Sequence, residues 1–557
     1  MSMELRMLLA VVLSFLVFFL YQVLFVKETP LQKKTPAEKP QRMQKETLAM
    51  DENVRALDER DEGLRQAQRD TIRPVPQGRT ITVSTSLYVA EFMEDSGALK
   101  SFKLKKYKES LTPNAPMKEL VQVPDEQIYT PVVSFLGKGL AESKHAVFQA
   151  TCESEAIDAS EAKKTLSFTW TSPEGVTLLK TYTFLPDTYE IDLEVKVRNL
   201  SPRPLEENLA ISLKNSLKDA KNSRYVFSGP AALINGELKE IKIKKIANQP
   251  TQAGRIMWIA YEDQYFVSVI IPQKAEQASM RLGITPTEVL ETTYIDPSGP
   301  LPPRMERTHH YRIYFGPKSL KALSSVGADL VKIVDFGFFD IIAKPLLHVM
   351  NFIHRYIPNY GIAIIFITII VKLLFWPLSN KSYESMSQMK KLQPKMAEIR
   401  AKYKHDKKMM NQELMNLYRV YKVNPLGGCL PMILQIPVFF AFYKMLYQAI
   451  ELRHAPFFWW INDLSAPDRL FHFNFKVPMM APPYGIPVLT IIMGASMFFQ
   501  QKMSPPPGDP TQAKMMMFMP IFFTVIFINF PSGLVLYWLV NNILSMVQQY
   551  YIAKKTG

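Results

Sequence analysis

The sequence predicts an α-helical polytopic membrane protein with six spans, five of them in one core, that carries a large antiparallel β-sandwich domain on its outer side. Three observations predict it: apolar stretches at residues 7–26 and repeatedly between 358 and 551, period-two alternation from about Thr80 to Pro317, and a strongly basic loop at 380–428. At 557 residues the chain is too long for one ordinary soluble domain. Its near-neutral mean hydropathy averages over very unequal segments.

Residues 1–26 hold the first span, MLLAVVLSFLVFFLYQVLFV from Met7 to Val26, long enough for a hydrocarbon core of about 30 Å. The run exceeds a usual signal-peptide core and YQVLFVKETP lacks a small-residue cleavage site, so an uncleaved signal anchor is expected over a cleaved leader. Residues 27–78 are rich in Lys, Glu, Gln, Pro and Asp with few large apolar groups, a composition that reads as a tether.

Residues 79–317 read as the β domain. Leu166, Phe168 and Trp170 alternate with polar neighbours, as do Ile191, Leu193, Val195 and Val197 with Asp192, Glu194, Lys196 and Arg198, while Ser172-Pro173-Glu174-Gly175 and Leu185-Pro186-Asp187 mark turns. His145 and the pair His309-His310 have no metal-ligand spacing and are assigned no chemistry. Residues 318–357 are a connector. Its stretch GFFDIIAKPLLHVMNFIHR (337–355) mixes bulky apolar groups with Asp340, Lys344, His348, His354 and Arg355, as an interfacial helix lying along the bilayer would, or a connector packed on the β domain.

The remaining spans are expected at about 358–378, 429–449, 484–501, 514–529 and 534–551 within a core of 358–557. The last two are counted separately around Phe530-Pro531-Ser532-Gly533, because Met515 to Tyr551 is too long for one crossing at about 1.5 Å per residue. The 380–428 loop holds eleven Lys/Arg, whereas 451–483 holds only Arg453, Arg469 and Lys476 against three acids, so the first loop is expected inside. Alternation then puts both termini inside and the β domain outside. The net charge of +15 is accounted for by such loops, without a specific nucleic-acid sequence as partner.

The 380–428 loop also reads as a helical hairpin. Met386, Met389, Leu392, Met396 and Ile399 recur at helical spacing, then Met410, Leu414, Leu417 and Tyr421, on either side of Lys404-His405-Asp406-Lys407, and Pro394 is expected to kink or break the first helix. The candidate contact residues are Met386, Met389, Lys390, Lys391 and Met396. The methionines suit either mutual packing or varied apolar partners, and the lysines suit solvent, anionic lipid or ribosomal RNA.

Lys372 stands inside GIAIIFITIIVKLLFWPL, where a charge costs about 2.5–3.5 kcal/mol on insertion scales. It either snorkels to the inner interface or faces a water-filled cavity. Thr368, Gln435 and the Asn541-Asn542 pair could line such a cavity, although each alone can be interhelical glue worth about 0.6 kcal/mol. No Asp or Glu in these spans can partner Lys372, which argues against a proton relay. Phosphate-loop, zinc-protease and serine-elbow motifs are absent, and Cys152 and Cys429 suggest neither a disulfide nor zinc. Leu426-Gly427-Gly428-Cys429 resembles an acylation box but is internal. No catalytic residue, metal or cofactor is expected.

From Lys372 onward the stretches WPLSNKSYESMSQMKKLQPKMAEIR, VNPLGGCLPMILQIPVFFAFYKML, APFFWWINDLSAPD, FFQQKMSP and FPSGLVLYWLVNN closely resemble the YidC/Oxa/Alb family of membrane protein insertases. The likeness covers residues 340–551, and the signal anchor and outer β domain resemble the Gram-negative group. It implies five core helices around a hydrophilic groove, open to cytoplasm and lipid but closed outward, with a positive residue inside. Lys372 matches that position, and Thr368, Gln435, Tyr537, Trp538 and Asn541 match positions lining or bordering the groove. Many relatives have arginine where Lys372 stands, which favours a single positive charge over a bidentate guanidinium. The resemblance further implies an inner-membrane insertase and chaperone serving nascent membrane proteins, alone or with the Sec translocon and its accessory subunits, with the β domain periplasmic. The chain ends at Lys554-Lys555-Thr556-Gly557 without a long basic tail, so ribosome contact is expected through the cytoplasmic loops. A transporter using the same cavity, or a scaffold working through a sugar-epimerase-like β domain, would be the rival classes.

Overall fold

The computed structural model describes residues 78–121, 128–136, 146–217, 226–421, 430–503 and 510–556. The expected signal anchor, most of the tether, His145 and the Gly427-Gly428-Cys429 stretch lie outside the described residues.

The β domain is two sheets face to face. One has five strands, and the other thirteen, of which two form a side branch. Pairing is antiparallel throughout except where Thr82–Ser84 runs parallel to Ala156–Asp158, a departure from the fully antiparallel sandwich expected. The alternation written in Glu190–Asn199 explains its place: Ile191, Leu193, Val195 and Val197 point into the core, and the strand is paired on both sides, by Val176–Phe184 and by Glu306–Pro317. The sheets meet through aromatic rings. Phe92 of the smaller sheet packs on Phe168, Tyr182 and Phe184 of the larger at centroid distances of 5.9, 4.9 and 5.7 Å.

The β domain and the helices share one continuous hydrophobic core, and polar contacts fasten them at its edge. Lys318, just past the last strand, donates to the fully buried Glu262 at 2.5 Å, Gln264 donates from Nε2 to the Tyr447 carbonyl at 2.7 Å, and Arg453 to that of Lys108 at 2.7 Å. The connector begins with a short helix α1 (Leu320–Val326), N-capped by Ser319, and continues into α2 (Asp340–Tyr356). On α2, Ala343, Leu347 and Met350 are buried, whereas Ile341, Phe352 and Tyr356 are exposed. Its partners are α3 (Tyr360–Leu374) and, further along, α6 (Leu430–Gln448).

Helix α3 is capped by the Asn359 side chain, which accepts from the Ile362 amide at 3.1 Å. It stops at Leu374, and α4 (Trp376–Lys402) departs at 62° with Pro377 in its first turn, where a missing N–H is harmless. Helix α4 runs through Pro394 without a break. With α5 (Lys407–Val420) it shares a small core of Leu392, Met396 and Leu414, flanked by Met389, Ile399, Met410, Leu417 and Tyr418. Tyr418 stands where Tyr421 was expected, and Tyr421 lies on the exposed side under Lys395. Lys391 is exposed, and the side chains of Met386 and Lys390 lie outside the described residues.

The chain ends with α7 (Val488–Met503), α8 (Pro510–Phe527) and α9 (Ser532–Thr556). The expected span from 484 begins later, because Tyr484–Ile486 pairs with Leu470–Phe473 as a two-stranded sheet. No single described helix is long and apolar enough to cross a membrane alone; α3 and the first part of α4 reach that measure together as a bent pair.

Candidate functional site

Lys372 sits in the last turn of α3 and is 7% exposed. Its Nζ donates to Ser545 Oγ on α9 at 2.7 Å, and that hydroxyl donates in turn to the Asn541 carbonyl at 2.7 Å, one turn back. From α6, Gln435 Nε2 donates to Asn541 Oδ1 at 2.9 Å. Three helices are therefore joined by one polar chain. No described carboxylate belongs to it, so the ammonium is held by neutral oxygen alone.

Beside this chain is a small cavity of about 10 Å³, lined by Val371, Lys372, Phe375, Leu378, Ser379 and Gln435. Its walls come from α3, the start of α4 and α6. The break at Phe375 that turns α4 away from α3 therefore opens the space. A cavity of this size has room for about one water beside the charged group.

Of the residues expected to act together, Lys372, Gln435 and Asn541 are brought together. Thr368 is fully buried one turn earlier, with its hydroxyl donating to the Ile364 carbonyl at 2.7 Å, and it does not reach the cavity wall. Tyr537 and Trp538 lie in an aromatic layer beside the polar chain, and the Tyr537 hydroxyl hydrogen-bonds to the Gln435 side chain. Tyr537 stacks on Phe442 at 4.5 Å, and Trp538 meets Phe439 edge-on at 4.8 Å and Phe527 at 5.1 Å.

Sequence reasoning missed Ser545, and with it Gln548, whose Nε2 donates to Asn380 Oδ1 at 2.8 Å. A signal was present. Asn541, Ser545 and Gln548 recur at four and three residues, a polar stripe down one face of the helix. A second stripe begins at Asn542, whose Nδ2 donates to Ser496 Oγ on α7 at 3.0 Å. Among the described residues no group of His, Cys, Asp and Glu could hold a metal ion.

In the β domain, His309 Nδ1 lies 3.1 Å from Asp296 Oδ2, which also accepts from the Tyr311 hydroxyl at 2.7 Å. These hydrogen bonds hold the Asp296 carboxyl well below the usual carboxylate range despite its burial.

Residues 80–349 match a family model described as the YidC periplasmic domain, and residues 352–557 one described as the 60Kd inner membrane protein. A membrane protein insertase YidC of Syntrophus aciditrophicus is 42% identical over 560 residues, covering 99% of this chain and all of that one. One of Geobacter metallireducens is 41% identical over 565 residues, covering 99% and 98%. A crystal structure of an active YidC insertase with its first transmembrane domain resolved aligns at a TM-score of 0.38 and 19% identity, over 86% of this chain and 93% of that one, too distant to support any point of geometry. On the full-length relatives and the two family matches, the chain belongs to the YidC family of membrane protein insertases, with an inner-membrane part and a periplasmic domain.

Proposed function

We propose that the chain inserts and folds integral membrane proteins by passing their polar outer segments through the cavity beside Lys372, alone or with the Sec translocon and its accessory subunits. The observation that carries this reading is a buried lysine bound only by neutral groups at the wall of an opening between α3, α4 and α6. Its counter-charge is supplied by the client. An acidic or polar tail enters, is attracted to Lys372, and leaves outward while the following apolar segment partitions into lipid.

No covalent step is needed, and the protein is not an enzyme. Burial of a spanning helix, at about 25 cal/mol per Å² of apolar surface, exceeds the transient cost of moving a short polar tail. Gln435 and Asn541 line the path with Lys372; Thr368, Tyr537 and Trp538 border it. Ser545 holds the lysine in place.

The topology that fits is multi-pass, with a signal anchor at 1–26, a tether at 27–78, the periplasmic domain at 79–317, the connector with its interfacial helix at 318–357, and the core at 358–557 with both termini cytoplasmic. Five core helices and the anchor make six spans, with α3 and α4 sharing a bent one. The exposed apolar face of α2 supports the interfacial reading. The 380–428 hairpin then faces the cytoplasm, where Met386, Met389, Lys390, Lys391 and Met396 are the contact candidates for nascent chains, ribosome or anionic lipid. Met389 and Met396 are engaged in the hairpin's own core, which favours packing as their main role.

The test is reconstitution of the purified chain in liposomes with a small, acidic-tailed, single-spanning substrate. Insertion above empty liposomes, kept by Lys372→Arg and lost by Lys372→Ala, is the expected result. Equal insertion by the alanine variant would remove Lys372 from the mechanism.

A further inference from the structure

The loop between α6 and α7 is built inside out. Its acids and arginines are turned inward to fasten it. Asp468 accepts from Trp460 Nε1 and from the Leu489 amide, both at 2.5 Å, and Arg469 donates to the carbonyls of Ile528 and Pro483 at 2.8 and 2.9 Å. Asp463 Oδ1 accepts from the amides of His454 and Ser465, and Arg453 reaches across to the β domain. The exposed positions include five large apolar side chains, Phe458, Trp459 (89% exposed), Phe471 (69%), Phe475 and Met479 (74%), set among the exposed Asn462, His472, Asn474 and Lys476. Three of these, Trp459, Phe471 and Met479, have left-handed backbone at φ 55°, 52° and 62°, which bulky residues rarely adopt. A loop facing water would reverse both choices.

The fastening also fixes the height of the loop. Ser532 and Gly533, at the start of α9, donate to the carbonyls of Ala466 and Leu464 at 2.8 and 2.9 Å. Asn529, just past the end of α8, donates to the Met479 carbonyl at 2.8 Å, and Asn359, at the start of α3, to that of Phe457 at 3.3 Å. The loop is thus riveted to the ends of α3, α7, α8 and α9 that the topology above assigns to the outer side. At that level the surroundings are the boundary between headgroups and acyl chains, where aromatic groups are most favourably placed.

We propose that this loop is a membrane anchor whose Phe458, Trp459, Phe471, Phe475 and Met479 seat in the outer-leaflet lipid interface. The exposed Lys476 beside Phe475 is placed to reach lipid phosphate while its stem stays in the apolar layer. The anchor works at the opposite end of the helices from the hairpin. It complements α2, whose exposed Ile341, Phe352 and Tyr356 approach the same level through Asn359. The inference rests on the spanning topology proposed above, and its test separates the two.

In a full chain with Cys152→Ser and Cys429→Ser, an environment-sensitive fluorophore is attached through Trp459→Cys or Phe475→Cys. Reference labels go at Glu174→Cys, on an exposed turn of the β domain, and at Ile370→Cys, on the exposed apolar face of α3. Proteoliposomes of phosphatidylethanolamine and phosphatidylglycerol are then quenched either by lipid carrying a nitroxide high on its acyl chain or by aqueous iodide. Several-fold stronger lipid quenching at positions 459 and 475 than at 174, with iodide quenching correspondingly weaker, is expected before any client is added. Labels at 459 and 475 as open to iodide as 174, with 370 still quenched by lipid, would overturn the anchor and leave the spans standing. Iodide access at 370 as well would overturn the topology itself. Protection of 459 and 475 that develops only when a client protein is added would overturn the lipid assignment in favour of a client-docking surface.

Discussion

The molecule buries two lysines without a carboxylate among the described residues beside either, one in each of its main parts, and they are held in different ways. Lys180 lies on the strand Val176–Phe184, 1% exposed, with Nζ donating to the Ser96 carbonyl at 2.8 Å and standing 3.6 Å from the centre of the Phe148 ring. The space is closed on that side by Gly97, at φ 53°, where a Cβ would come within 2.8 Å of the same Nζ. Lys372 is held by one hydroxyl beside an open cavity. The first lysine is enclosed on all sides, with one carbonyl and one aromatic ring as partners, and acts as a structural post. The second stands at the wall of a cavity, and the function proposed above rests on that difference.

Lys180→Ala should destabilise the β domain most, by about 2–4 kcal/mol, from the cavity and the unpaired Ser96 carbonyl. Hydrogen exchange of residues 176–184 reads this, and insertion by the protein that remains folded should be unchanged. Lys180→Met, close in volume, should cost less than about 1.5 kcal/mol.

Lys372→Ala should do the reverse. Loss of a charge-assisted contact worth about 1.5–3 kcal/mol predicts roughly tenfold or greater loss of insertion, with little change in exchange across the β domain. If insertion falls equally for Lys180→Ala and Lys372→Ala, the distinction between post and site is wrong.

A third expectation concerns pH. Burial pushes the Lys180 ammonium down to about 7. A base with a lower pKa folded than unfolded binds fewer protons when folded, so stability rises with pH between the two values. Protection of strand 176–184 should therefore increase by roughly 1–2 kcal/mol from about pH 7 to about pH 9, and Lys180→Met should flatten the rise. A slope of opposite sign would mean that the carbonyl and the ring outweigh desolvation. The smallest effect is expected of Ser545→Ala, which removes one hydrogen bond of about 1 kcal/mol from Lys372 and should reduce insertion a few-fold. Rescue by Ser545→Thr would mark it as a positioning residue.

Both lysines left traces in the sequence, but unequal ones. Lys372 interrupts a long apolar run, and the cost of a charge there singles it out before any fold is known. Lys180 falls at an inward position of the alternation Val176, Leu178, Lys180, Tyr182, Phe184, a readable break in period that is easily taken for one more polar residue in a strand. Gln435 and Asn541 stood out as polar groups in apolar spans. Ser545 did not, because a lone serine can satisfy itself within its own helix, as this one does with the Asn541 carbonyl.

Composition and period alone determined the division into a β domain and a helical core, the inward faces of strands such as Glu190–Asn199, the seam of the α4–α5 hairpin and the presence of a charge in α3. These follow from local alternation, which is one-dimensional and complete in the sequence. Only the tertiary structure decided that Lys372 meets Ser545, 173 residues away, that Thr368 turns back on its own helix, that Tyr418 takes the place of Tyr421, and that the loop between α6 and α7 turns Asp463, Asp468 and Arg469 inward. Each of these depends on which helix faces which and at what height, a matter of packing between distant segments that no local period encodes.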